Sequence, residues 1–472
     1  MLNPGKVGYE IGGNVEATSF GGVAAVHRLV SRLGLAERID ADLGLLKVHL
    51  PYHESDHVLT LAYNVLCGGT RLQDIERLRH DIAFMNALGA ELIPDPTTAG
   101  DFCRRFTPAD VETLMAAINT VRPRLWGGRG AELLGPIAYI DTDGTIAPTY
   151  GEHKLGMDIS YKGIWGYAPL IVSLANTKEV LFLVNRPGNA PSHQSAAGWI
   201  DAAIDLVSPY AQRVCLRGDT DFSLTAHFDR WAERADFVFG MDCNTALRSR
   251  AEALDESAWT RLHRQSRYQP KTTQKRRREP NHKQRIVTER GYLNIELQHE
   301  DVAEFDYQPG KCARPYRVIA LRKNLSKTRG EQALVEEIRY LFYVTTRTDL
   351  TPAQVIGCAN DRCDQENVIE QLKNGVNALR VPLYDLVSNW AYMVIAALAW
   401  TIKSWFAMML HRKADRAEHI GMEFRRFITS VILIPAIVIR HARAITIRLI
   451  GYTPSLGRFF SAWHTIERTG FG

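Results

Sequence analysis

Cysteine is sparse and scattered in this chain. The seven residues, at 67, 103, 215, 243, 312, 358 and 363, form no Cys-x-x-Cys pair, and Cys358 with Cys363 has no histidine partners at zinc-ligand spacing. That excludes a disulfide framework and a zinc ribbon, and predicts reduced thiols in a cytoplasmic protein. The first residues lack the basic-then-apolar layout of a secretory signal. Long uncharged apolar runs are also missing. The most apolar stretch, 391–410, has the length of a membrane span, about 20 residues, but Lys403 lies inside it and His411, Arg412 and Lys413 follow. It reads as a buried core helix, with no membrane partner. No internal repeat is visible. Neither sign of charge dominates, since 57 Lys and Arg face 52 Asp and Glu for a net charge of +5. With 46% hydrophobic and 23% charged residues, the composition excludes a disordered, collagenous or mainly coiled-coil protein. The 472 residues suffice for a sizeable core and about three domains.

What is present changes character along the chain. Residues 1–130 show apolar recurrence of the helical kind, ended by the Gly-rich 126–130. The next region, 131–242, reads as strands over 137–146, 167–175 and 180–186, a helix over 192–207, and a strand over 214–219. A helix over 222–235 and a strand over 237–242 complete it. Three strands, helix, strand, helix, strand is the order of an RNase H-like core, an α/β mixed sheet with helices on its faces. Residues 243–346 interrupt that core as a basic, β-rich insertion, with strands over 292–298, 316–322 and 340–346. Within it, the block 261–290 holds 11 Lys and Arg against 2 Glu, a local charge of +9, so the rest of the chain sums to −4. The last region, 347–472, reads as mostly helical.

Chemistry-bearing residues gather in three places. A helix is expected over 352–374, with Thr351 as N-cap, Pro352 at its first position and Gln354 completing a capping box. At ~100° per residue, Val355, Ala359, Arg362, Glu366, Ile369 and Lys373 share an arc of roughly 80°. Either Arg362 and Glu366 pair on a solvated face, or charged groups face inward for a reason. On the strand over 137–146, alternation puts Tyr139, Asp141, Asp143 and Thr145 on one face. Asp219 stands where the strand over 214–219 ends, a favoured site position in α/β sheets. Asp221, beside Ser223, reads as a helix cap.

The spacing Ala359, Arg362, Glu366, Lys373, within NDRCDQENVIEQLKNG, resembles the Tyr-x2-Arg-x3-Glu-x6-Lys signature of DDE transposases (the group-one DDE domain) of bacterial insertion sequences. IDTDGT (140–145) resembles the family's first-aspartate strand, and LRGDTDF (216–222) its second-aspartate motif, usually Arg-Gly-Asp-Ser-Gly-Phe. Residues 166–192 resemble the segment between them, and 93–106 the family's N-terminal region. Two positions depart from the pattern: Ala359 stands for the usual Tyr, and Asp221 for the usual Gly.

The resemblance implies that Asp143, Asp219 and Glu366 are catalytic and hold metal, two Mg²⁺ ions per site, with Mn²⁺ able to substitute. Such a pair clamps the attacking and leaving oxygens of an in-line phosphoryl displacement. Arg362 and Lys373 would hold DNA phosphates beside the metals. On alternation alone either Asp141 or Asp143 can meet the metal. The resemblance chooses Asp143, leaving Asp141 deeper in the sheet as partner of Arg217 or a backbone amide. The implied partners are the element's terminal inverted repeats and target DNA, with at least a dimer in the DNA complex. The N-terminal helices would recognise the repeats.

Three rivals compete with this reading. A DNA-binding protein derived from such an element, with its triad idle, would keep the basic block but not cut. A glycosidase with two carboxylates would need neither Arg362 and Lys373 nor a +9 block. HESDH (53–57) matches the His-Glu-x-x-His pattern of zinc proteases, but Pro51 puts it at a helix start, so His53, Glu54 and His57 read as ordinary structural residues.

The basic block yields a prediction. Replacing Lys275, Arg276, Arg277 and Arg278 with Gln should weaken DNA binding and flatten its salt dependence by ~0.9 slope units per lost phosphate contact. The fold should survive, because exposed charges contribute little stability. An unchanged slope in a salt titration would mean that the block is merely solvated.

Overall fold

Strands form where β-branched and aromatic residues run together, and the strands are short in the core and long in the insertion. The computed structural model describes residues 9, 13, 15–264, 285, 289–291, 293–329, 332–442, 444–451 and 454–471. The basic residues Lys275, Arg276, Arg277 and Arg278 lie outside the described residues. The core strands are β1 (Ala138–Gly144), β2 (Leu170–Leu174), β3 (Glu179–Val184), β4 (Val214–Gly218) and β5 (Asp236–Met241). Every residue of β2, β3 and β4 is buried, as expected of strands covered on both faces. The insertion supplies β6 (Thr260–Arg261), β7 (Leu293–Tyr307), β8 (Tyr316–Arg329) and β9 (Gln332–Thr345).

All of these join one mixed sheet, in the order β6-β7-β8-β9-β5-β4-β1-β2-β3. β1 pairs antiparallel with β2, and β2 with β3, whereas β4 runs parallel to both β1 and β5. The insertion strands are about twice as long as their apolar runs suggested. Cross-strand polar pairs extend the β7–β8–β9 meander, such as Arg322 with Asp301 and Gln298 with Ser326. The meander is not separate from the core, since β9 pairs with β5 through Phe342–Met241 and Val344–Phe239.

The helices that matter for the site are α1 (Glu54–Leu66), α2 (Pro108–Val121), α3 (Ala196–Val207), α4 (Pro352–Asp361), α5 (Cys363–Glu370) and α6 (Leu386–Met408). The Thr351–Gln354 capping box opens α4 as expected, with Gln354 N donating to Thr351 Oγ1 at 3.3 Å and Thr351 N to Gln354 Oε1 at 2.9 Å. α6 is long and apolar enough to cross a membrane, yet its most apolar window is wholly buried within the fold. Lys403 is accommodated there by donating to Ile420 O at 2.5 Å, with its ammonium 3.9 Å from the Trp400 ring centroid.

Three expectations are corrected. The helix over 352–374 is not continuous: α4 and α5 are separated at Arg362, and Gln371–Gly375 form a π turn. Arg362 N reaches back to Ala359 O at 3.3 Å, a tight three-residue step of ~120° per residue that rotates α5 relative to α4. The helix over 222–235 shrinks to Phe228–Ala232, preceded by two single 3₁₀ turns. The C-terminal region also contains a hairpin, Ala436–Arg440 with Ile445–Leu449, edged by Ala17–Thr18. Its alternating Ile and Val residues carry the period of a strand.

A buried charge network joins the N-terminal helices, the sheet and α6. Glu179, at the start of β3, is fully buried and accepts from Arg122 Nη1 at 2.7 Å, Trp405 Nε1 at 2.7 Å, Thr177 Oγ1 at 2.6 Å and Trp126 Nε1 at 3.2 Å. Arg122 also donates to Val180 O at 2.9 Å and Asn119 Oδ1 at 3.0 Å. Removing one partner leaves the other charge buried and uncompensated. Arg122→Met should therefore cost about 3–5 kcal/mol, whereas Arg122→Met with Glu179→Leu should recover a large part of that loss. Urea unfolding of the three proteins checks this, and a single-variant loss within experimental error would contradict it.

Candidate active site

The parallel pairing of β1 with β4 sets the site. Its register matches Asp141 with Arg217, the last pair of the ladder, and two residues further along each chain come Asp143 and Asp219, near enough for the Asp219 charge to act on the Asp143 carboxyl. Both lie at the carboxyl ends of their strands. Two glycines make room: a Cβ on Gly144 would lie 3.0 Å from Ser192 Cβ and Oγ, and one on Gly218 would lie 2.7 Å from Phe222 Cβ.

Asp141 is fully buried and accepts from Arg217 Nε at 2.6 Å and Nη2 at 2.8 Å. Arg217 is one of the two partners the sequence offered for it. Burial pushes the Asp141 carboxyl up, and Arg217 opposes the shift. Arg217 Nη1 donates to Cys358 O at 3.3 Å, so the pair also anchors α4, and its guanidinium lies 4.6 Å from the Tyr139 ring centroid.

Asp143 accepts from Arg362 Nη1 at 2.9 Å through Oδ2, and from Gly144 N at 2.8 Å through Oδ1. Burial raises its carboxyl to about 6, Arg362 pulls it back and the Asp219 charge adds to the rise. Burial raises Asp219 as well, against Arg362 and with help from Asp221. Asp219 Oδ1 accepts from Asp221 N at 3.0 Å and so caps the turn Thr220–Phe222. The capping role expected of Asp221 thus belongs to Asp219, because the chain turns at once instead of starting a long helix.

Arg362 is brought to the aspartates by the break between α4 and α5, and it pairs with Asp143 rather than with Glu366. Glu366 is exposed. The inward place next to it is taken by Gln365, 1% exposed, which bonds Ser173 Oγ and donates to Ile171 O at 3.2 Å on β2. Spacing on an unbroken helix could not reveal that exchange. Lys373 is half-buried in the π turn, and its ammonium is pushed down by burial and by Lys162, while Glu370 and Asp143 draw it back. Ala359 packs partly buried in a cluster with Tyr139 and Tyr343.

Among the described residues, no group of three or more His, Cys, Asp or Glu could hold a metal ion. Asp143 and Asp219 are nonetheless hard-oxygen donors on adjacent strands, both strained toward protonation by burial, and that donor chemistry suits a divalent cation such as Mg²⁺. The fit is that of two carboxylates, with Glu366 outside the pair. HESDH is spent on structure: Glu54 accepts from Leu45 N and Leu46 N at 3.0 and 2.9 Å, and His57 stacks on Phe102 at 4.4 Å. Beside the aspartates, a cleft of ≈ 750 Å³ includes Arg186, Tyr161, Lys162 and Lys373. Sequence reasoning passed over Arg186 and Lys162. The signal for Arg186 was an unpaired charge closing an apolar strand.

The family described as transposase DDE domain group 1 matches residues 6–471 of the chain. No curated protein matches it in sequence. A solved structure described as piggyBac transposase synaptic complex with hairpin DNA is similar at 9% identity, covering 89% of this chain and 82% of that chain, with a TM-score of 0.38.

The raised Asp143 carboxyl makes stability depend on pH. The folded chain holds that proton up to about 6, whereas an unfolded aspartate releases it near ~3.9. Between those values the folded state binds more protons, so raising the pH across the interval lowers stability, by about 1.4 kcal/mol per pH unit at most. Asp143→Asn removes this slope. Urea midpoints of both proteins in metal-free buffer should converge or cross as pH rises in the variant's favour, and a difference independent of pH would refute the shift.

Proposed function

The chain belongs to the family of transposases with a group 1 DDE domain, and on that premise we propose that it is the transposase of a bacterial insertion sequence. It binds the terminal inverted repeats of its element, cuts DNA strands there and joins them to target DNA by in-line phosphoryl transfer. The observation that carries this reading is the parallel pairing that ends at Asp141 and Arg217, which brings the strand ends bearing Asp143 and Asp219 together, with the Arg362 guanidinium against Asp143. The order β3-β2-β1-β4-β5, antiparallel on one side of β1 and parallel on the other, supports an RNase H-like core.

Asp143 and Asp219 would hold Mg²⁺, or Mn²⁺ in its place, with Glu366 as the further ligand of a two-ion site. Bound there, the ions supply positive charge to the attacking and leaving oxygens. The chain's own residues do the rest. Arg362 neutralises Asp143 in the free protein and can offer two parallel N–H groups to a phosphate when DNA arrives. Lys373 adds a point charge at the rim, and its half-burial strengthens its attraction to an anion. The protein would act in the cytoplasm, as at least a dimer on DNA, since two ends must be cut. The exposed Glu366 is the one observation that favours a catalytically idle DNA-binding protein instead.

Cleavage of labelled terminal-repeat DNA separates the two. Asp143→Asn and Glu366→Gln should each lose cleavage by several orders of magnitude while binding stays within a few-fold, because a neutral amide does not supply the charge the ions require. Asp141→Asn should keep measurable cleavage, reduced about 10–100-fold. A parent chain that binds the repeats but never nicks them with either metal is the idle protein.

A further inference from the structure

The cleft beside the aspartates is built around a cation with a missing partner. Arg186, at the end of the β3 run, is 6% exposed. Its Nε donates to Ala168 O at 2.9 Å, and its Nη1 donates to the carbonyls of Pro191, Ser192 and Gln194 at 3.2, 3.0 and 2.8 Å. The remaining nitrogen, Nη2, is buried and has no hydrogen-bond partner among the described residues. Among the described residues, its acceptors are all backbone carbonyls, and no carboxylate forms an ion pair with it. Arginine does not shed its proton to escape such a place, so the unmet donor and the unbalanced charge both call for an anion.

Two further cations line the same cleft, Lys162 and Lys373. Lys162 is exposed and lies over the Tyr161 ring at 5.3 Å. It is close enough to Lys373 to disfavour that ammonium. With Asp221 as the one carboxylate of this lining, the three cations outnumber the acidic groups, the arrangement of a site whose occupant brings the counter-charge. The volume, ≈ 750 Å³, is ample for a stretch of sugar and phosphate. Gly144 belongs to the wall, so an occupant sits directly against the strand end that carries Asp143.

We propose that this cleft is a phosphodiester-binding pocket in which Arg186 and Lys162, together with Lys373, seat one backbone phosphate of the DNA strand next to the bond to be cut. The pocket rests on the transposase reading for its ligand. It adds positioning residues that neither the aspartate motifs nor the Arg362–Glu366–Lys373 segment contains. Arg186 also ties the backbone of 191–194 to the strand, so the seat and the wall beside Gly144 move as one piece.

The test uses the full chain and labelled terminal-repeat duplexes in metal-free buffer, each duplex carrying one neutral methylphosphonate. In the parent, neutralising one phosphate near the cleavage position should weaken binding about tenfold and lower the salt slope by ~0.9. In Arg186→Lys and in Lys162→Gln, binding to unmodified DNA should weaken and that one methylphosphonate should cost little more, with the other positions unchanged. Arg186 holds a loop, so Lys162→Gln on the exposed side keeps the test intact if the first variant folds poorly. If both folded variants pay the same penalty as the parent at every position, the pocket is wrong while the transposase reading stands. If inorganic phosphate binds but no methylphosphonate position responds, the pocket takes a free anion and its DNA role is overturned. A parent chain with no preference for terminal-repeat DNA overturns the transposase reading itself, and the pocket's DNA role with it.

Discussion

The ion pair between Asp141 and Arg217 is the constraint on which the site depends. It is buried in the middle of the mixed sheet, bidentate, and formed between partners directly opposite in the parallel β1–β4 ladder. Breaking a buried pair leaves a charge that the interior cannot solvate, so only the register that matches these two residues is tolerable. A slip of one residue would also turn every side chain of β1 to the opposite face. The third donor of Arg217 reaches Cys358 O on α4. One side chain thereby fixes the three elements that carry Asp143, Asp219 and Arg362.

With the register held, the electrostatics of the strand ends are set as well. Burial raises both carboxyls, and the pair is kept from still greater strain by a single guanidinium from the junction of α4 and α5. That junction is a consequence of packing. Gln365 is bonded to β2 through Ser173 and Ile171, and Val368 and Ile369 are buried with it, so α5 turns its apolar side to the sheet. Glu366 is left outward and Arg362 inward. The cleft then places Arg186, Lys162 and Lys373 beside two carboxyls that burial pushes toward protonation.

The outer layers hold this centre without taking part in it. Glu179 and Arg122 bind the N-terminal helices to the edge of the sheet, and the indoles of Trp126 and Trp405 complete the carboxylate's hydrogen bonds. The same network closes over α6, whose apolar length is covered on all sides. The β7–β8–β9 meander extends the sheet from β5 on the far side. The chain enters the basic block 261–290 at the short β6 and returns to the sheet as β7.

Much of this was determined by the sequence alone. Alternation in IDTDGT placed Asp141 and Asp143 on one face, and apolar runs bounded by turns located the five core strands. Thr351-Pro352 with Gln354 marked the start of α4, because capping is chemistry between residues three apart. The paired motifs around Asp143, Asp219 and Arg362 also pointed to the family that matches residues 6–471. What tertiary structure alone decided depended on contacts distant in the chain. Periodicity assumes an ideal helix, and so missed the tight step at Arg362 that exchanges Glu366 for Gln365. Local rules gave Asp221 the cap that Asp219 makes, and composition hid a C-terminal hairpin whose partner strand lies near the other end of the chain, at Ala17–Thr18. The unpaired nitrogen of Arg186 was legible nowhere in the sequence, since whether a buried donor is satisfied is settled only by what the whole fold packs around it.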